Sequence, residues 1–188
     1  MALTKIREGG VDAGIVGLVP LSVTTVTSNA ANVTFDNLPT TYDNFMIVVN
    51  AHPETDNVSL YGRFLNTSGA EITDNTYGWY VDQEGTPVST NNLSYLRFSG
   101  TIGAANYEGV RLQTTLLGRN YVAGTTDSRP PSFVGTTILG NNGGNTSGGA
   151  HVAGLDDSHQ QAIRGFNFYF SSGNIAAGQF RLYGVTNP

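Results

Sequence analysis

The sequence predicts an all-β fold, an antiparallel, jelly-roll-like β-sandwich preceded by an extended N-terminal arm. Three observations predict it. Short runs of alternating apolar and polar residues recur from Leu21 to Val185. Gly, Asn, Thr and Pro punctuate these runs at the spacing of turns. No stretch between them carries a convincing helical repeat. In Gly165-Phe166-Asn167-Phe168-Tyr169-Phe170 the side chains switch face at every residue, so Phe166, Phe168 and Phe170 share one side. The 188 residues suffice for one domain that buries roughly 70% of its unfolded surface, with an arm attached.

Residues 1–19 form the arm and residues 20–188 the sandwich domain. In the arm Leu3, Ile6, Val11, Ile15, Val16 and Leu18 are apolar, but Gly9-Gly10, Gly14 and Gly17 break any long helix. Such a segment buries too little alone to offset its chain entropy. Two readings follow: its apolar residues dock on another subunit or another protein, or the segment is a frayed terminus with one added strand.

The strands follow in order. Leu21, Val23 and Thr25 alternate in the first, and Val33 and Phe35 make the second. Pro39 presets the turn after it. Phe45 to Ala51 is apolar on both faces and reads as a central strand. Val58, Leu60, Gly62 and Phe64 oppose Ser59, Tyr61 and Arg63. Thr76 to Val81 carries the only Trp, and Leu93 to Phe98 follows a loop with Gly85 and Pro87. Glu108 to Leu116 and Phe133 to Leu139 alternate clearly, the latter entered through Arg129-Pro130-Pro131. Gly140 to Gly149 is low-complexity and reads as a long flexible loop. Ile163 to Phe170 and Gln179 to Val185 read as a strand pair joined by Ser171-Ser172-Gly173-Asn174. The last strand turns Phe180 and Leu182 inward and Arg181 and Tyr183 outward.

Composition narrows the function. The net charge is −5 with only 12% charged residues. The basic residues are eight Arg, spread singly, and Lys5, so no stripe exists to follow phosphates and nucleic acid is not an expected partner. A surface poor in Lys and Glu and rich in Thr, Asn, Ser and Gly suits a protein that buries its faces against neighbours. There is no cysteine, so no disulfide or thiol chemistry, which fits assembly in a reducing cytoplasm. No signal peptide or membrane-length apolar run is visible. The sequons at Asn32, Asn57, Asn66, Asn92 and Asn145 reflect the abundance of Asn and Thr in turns.

No catalytic, metal or cofactor constellation stands out. Asp156-Asp157-Ser158-His159 is the densest polar cluster, but Ser158 and His159 are chain neighbours and would point apart on a strand. It reads as a solvated loop. His52-Pro53-Glu54 has no zinc spacing. Asp74, Asp82 and Glu84 flank the aromatic cluster without further support for a carboxylate pair. The residues Tyr77, Trp79 and Tyr80 could stack on a sugar, with Tyr77 and Trp79 on one face; large aromatics in a sandwich more often fill the core, and Trp79 is read as core. The protein is thus read as no enzyme.

Ala31-Asn-Val-Thr-Phe-Asp-Asn-Leu-Pro-Thr-Thr-Tyr-Asp-Asn-Phe-Met-Ile-Val-Val49 resembles an early segment of the β-rich virion proteins of tailed bacteriophages. The closing Gly178-Gln-Phe-Arg-Leu-Tyr-Gly-Val185 and the opening Ala-Leu-Thr-Lys-Ile are similar to parts of the same proteins. The resemblance implies a jelly-roll-like sandwich on the virion, assembled in the host cytoplasm, commonly oligomeric and often trimeric. It transfers no catalytic residue. Two places on the particle follow. One is a capsid decoration (cement) protein, held by the arm and self-associated. The other is a tail fibre or tail-tip protein that binds a host glycan. A compact domain with one short arm and no coiled-coil stalk favours decoration.

Overall fold

The alternation becomes strands because each run can hide one face and leave the other polar. The computed structural model describes residues 17–83, 86–121, 130–140, 146–155 and 161–186. It holds strands β1 (Leu18–Val26), β2 (Val33–Phe35), β3 (Asn44–Pro53), β4 (Leu60–Leu65), β5 (Tyr77–Gln83) and β6 (Thr86–Leu93). After these come β7 (Leu96–Arg97), β8 (Gly109–Leu117), β9 (Ser132–Gly140), β10 (Thr146–Leu155), β11 (Gly165–Phe170) and β12 (Ile175–Val185). Among the described residues there is no helix. An eight-stranded sheet runs β1-β12-β3-β8-β9-β10-β5-β6, and a four-stranded sheet runs β2-β11-β4-β7. Every pairing is antiparallel. The fold is an all-β sandwich.

Phenylalanines join the two sheets. Phe133 of β9 lies 5.3 Å from Phe64 and 5.3 Å from Phe166, on the small sheet, and 5.1 Å from Phe98. Phe168 touches Phe98 and Phe180 at 5.1 and 5.9 Å. Stacked and edge-on pairs of this kind add about 0.5–1.5 kcal/mol each beyond area burial. Gly165 permits the close approach of the short strand β2, since a Cβ there would lie 2.2 Å from the Phe35 carbonyl oxygen.

Four expectations need correction. The strands β11 and β12 do not pair: β11 lies between β2 and β4, whereas β12 lies between β1 and β3 in the other sheet. The intervening turn, with Gly173 at φ 69°, arches from one sheet to the other. Two one-faced strands can hide those faces by stacking as well as by sharing an edge, and Phe168 against Phe180 shows the stacking. In β1 the ladder slips between Pro20 and Ser22, so Leu21 packs on the core while Val23 is exposed. A bulge reverses facing beyond itself. Of the expected loop at 140–149, the described residues are strand: Gly140 ends β9 and Thr146 to Gly149 belong to β10, while residues 141–145 lie outside the described residues. Leu93 to Phe98 is not one strand, because Leu93 ends β6 and Leu96–Arg97 form β7 in the other sheet.

One polar group sits inside the aromatic layer. His151 is fully buried on β10, its ring edge-on to Phe98 at 5.4 Å. Its Nε2 lies 2.9 Å from Thr114 Oγ1 and its Nδ1 3.2 Å from Thr137 Oγ1. Thr137 donates its own proton to the Phe98 carbonyl at 2.6 Å. Thr137 has given its proton away, so Nδ1–H donates to it, while Nε2 faces Thr114, whose single proton lies within reach of both this nitrogen and the Val134 carbonyl at 3.2 Å. Burial drives the His151 pKa down to about 4.

The unfolded chain binds a proton at His151 below about pH 6.5, whereas the folded chain resists until about pH 4. The stability tied to the neutral ring is therefore complete above about pH 6.5 and is lost as pH falls toward 4, by about 3 kcal/mol in all. Urea unfolding across this window should show that loss, and His151→Gln should abolish its His-specific part. Phe133→Ala should lower stability by about 3–5 kcal/mol in the same assay at pH 7.

Candidate interaction surface

The small sheet covers the inner face of the large one, so the outer face of the large sheet is where unmatched side chains collect. Its register arranges them in rows. Pro20, Tyr183, Met46, Thr115, Val134, Val152 and Tyr80 lie side by side on seven adjacent strands. Beside that row, toward one end, are Leu18, Val185 and Leu117. Val134, Val152 and Leu117 are 43%, 48% and 39% exposed. Among the described residues, every exposed large hydrophobic except Tyr107 lies on this outer face. Singly exposed apolar residues are ordinary, but concentration on one face marks an interaction site.

The opposite end of the same face is more polar, with one exposed hydrophobic, Ile138, beside Arg111. Gln179, Asn50 and Arg111 stand in one row across β12, β3 and β8. The next row holds Ala177 and His52, then the paired Gly109 and Gly140. These small residues leave a groove of 540 Å³. Tyr107, 75% exposed, stands at its rim. His52 Nε2 is held 2.9 Å from the Ala105 carbonyl, in the turn that carries Tyr107. The outward positions of β1, β12, β3, β8, β9 and β10 include no Asp or Glu.

Of the arm residues, Leu18 is in β1, paired with Val185, so the sandwich begins before residue 20. Leu3, Ile6, Val11, Ile15 and Val16 lie outside the described residues. Gly17, where that segment joins, is held by Thr186 at the apolar end of the outer face. Tyr77 and Trp79 are core residues, and neither ring offers a face to a sugar. The Tyr77 hydroxyl accepts from the Phe64 amide and donates to the Ile72 carbonyl, both at 3.0 Å, and burial raises its pKa. Arg97 lies over the Trp79 ring at 5.2 Å. Tyr80 is 40% exposed and belongs to the apolar row.

The remaining clusters offer less. Asp156, Asp157, Ser158, His159 and Glu84 lie outside the described residues. Among the described residues no three His, Cys, Asp or Glu side chains gather as a metal site would require. On the small sheet's outer face Tyr61 and Tyr95 stack at 4.1 Å, while Arg63 is held by Glu71 at 2.8 Å. Those rings occupy one another. The groove went unread in the sequence because Asn50, Tyr107, Arg111 and Gln179 come from segments far apart, and no local spacing joins them.

No protein-family model matches the chain, and no curated protein and no solved structure matches it.

Tyr77→Phe should lower stability by about 1–3 kcal/mol, because the Phe64 amide loses its buried acceptor. Tyr80→Ser should leave thermal unfolding nearly unchanged. The two melts measured side by side check the placement.

Proposed function

We propose that the chain is a structural subunit of a phage virion, a capsid decoration protein that works by association and not by catalysis. The single observation that carries this reading is the uncovered apolar band on the outer face of the large sheet. Eight strands about 4.8 Å apart and about 30 Å long make the whole outer face on the order of 1,000 Å², against roughly 800 Å² per partner in a standard stable contact, and the band occupies one end of it. Growth along the edges of the large sheet is disfavoured, because its edge strands β1 and β6 carry Pro20 and Pro87, which lack an N–H to donate. Contact through the face remains.

In this proposal copies meet through the band, as a trimer, and residues 2–16 clasp a neighbouring virion subunit. The apolar residues of that segment start from the end of the sandwich where the band lies. Many identical contacts in one lattice reinforce one another through effective concentration. The resemblance to tailed-phage virion proteins supplies the particle; the face supplies the means of joining it. The rival place, a tail fibre or tail tip that binds glycans, cannot use Tyr77 and Trp79 as a platform.

The full chain should sediment at three times 19.9 kDa. Val134→Lys with Val152→Lys should reduce it to the monomer without altering its melt. Deleting residues 2–16 should leave the trimer intact but remove the protein from particles, read by antibody labelling. A wild-type chain that stays monomeric at high micromolar concentration overturns the association, and particles that never label overturn the virion assignment.

A further inference from the structure

We infer that the polar groove at the far end of the large sheet is a binding site for an acidic saccharide, with Arg111 recognising the carboxylate. This goes beyond the decoration role and does not depend on it, since the groove and the apolar band lie at opposite ends of the outer face.

The groove has a floor, a wall and a rim of different chemistry. The floor is the paired Gly109 and Gly140, where no side chain fills the space above the sheet. Larger residues are excluded there: a Cβ on Gly109 would lie 2.8 Å from the Ala51 carbonyl oxygen, and one on Gly140 2.9 Å from the Glu108 Cα. The wall is Gln179, Asn50 and Arg111, side by side on three strands. The Asn50 amide can both donate and accept, which suits hydroxyl groups, while Gln179 already accepts from Arg181 and donates to Thr25 at 3.4 Å. The rim is Tyr107, a ring standing in solvent against which the apolar face of a pyranose can pack. A volume of 540 Å³ is in the range of small-ligand sites, about 300–1,000 Å³.

Arg111 decides the charge of the ligand. It is exposed, and among the described residues no carboxylate pairs with it. Glu108, the acidic residue of the groove, falls on the opposite parity of the chain. Its side chain is buried against Gly103, where Oε2 accepts the Ala105 amide at 2.8 Å. Arg181, one row away, adds a second cation to the face. A planar guanidinium with free donors is matched by a carboxylate through two parallel hydrogen bonds. A carboxylate on a ring that also offers hydroxyls and an apolar face describes a uronic or sialic acid residue.

The test is calorimetric titration of the full chain with tetragalacturonate and, separately, with maltotetraose. Tetragalacturonate should bind about tenfold more tightly, and that preference should shrink as salt is raised. Arg111→Gln should remove the preference, and Tyr107→Ala should weaken binding of both sugars. Both side chains are exposed, so unchanged melts certify the fold. Equal affinity for the two sugars, no binding of either, or binding untouched by Arg111→Gln each overturns the assignment. Competition by acetate as strong as by galacturonate also overturns it, because the site would then recognise a bare anion. A chain that binds tetragalacturonate yet stays monomeric separates this site from the association reading.

Discussion

The structure depends on the phenylalanine layer between two sheets of unequal width. Phe133 on the large sheet holds Phe64 and Phe166 of the small one, and Phe98 and Phe168 extend the same layer. A sandwich without disulfides relies chiefly on such burial to hold its sheets together, with cross-sheet hydrogen bonds such as Phe64 N–H to the Tyr77 hydroxyl beside it. The layer accepts His151 because both ring nitrogens meet threonine hydroxyls. A buried polar group so satisfied fixes how β10 sits between β9 and β5.

Packing four strands on eight settles one face of the large sheet and leaves the other without a cover. Its side chains differ in character by position along the strands. At one end Val134, Val152 and Leu117 offer apolar area suited to another protein surface. At the other, Asn50, Arg111 and Gln179 surround an open floor of glycines. The same period of two that fills the core generates both regions, because the alternate residues of β3, β8, β9 and β12 must face outward.

Much of the fold was legible. Alternation located β3, β8, β9, β11 and β12 and assigned the inward Phe180 and Leu182. β6 and β10 were not legible. Thr-Pro-Val-Ser-Thr-Asn-Asn-Leu and Thr-Ser-Gly-Gly-Ala have weak strand propensity, and they are extended because β5 and β9 supply hydrogen-bond partners. The bulge at Leu21 was equally hidden, since an extra residue in one strand becomes visible only against its partner. Tyr77 and Trp79 could be grouped as aromatic neighbours, but their burial follows from which way β5 turns its faces.

The sequence by itself determined the class of fold, the strand character of its strongest runs, the absence of cysteine and the scarcity of charge. These are local or additive properties, which a chain carries in any conformation. The tertiary structure decided that β11 and β12 belong to different sheets, that exposed apolar residues share one face, and that Arg111, Asn50, Gln179 and Tyr107 meet. The reason is that strand pairing and face stacking join residues far apart along the chain. An alternating segment specifies only that it has two faces, and its neighbours determine what each face meets.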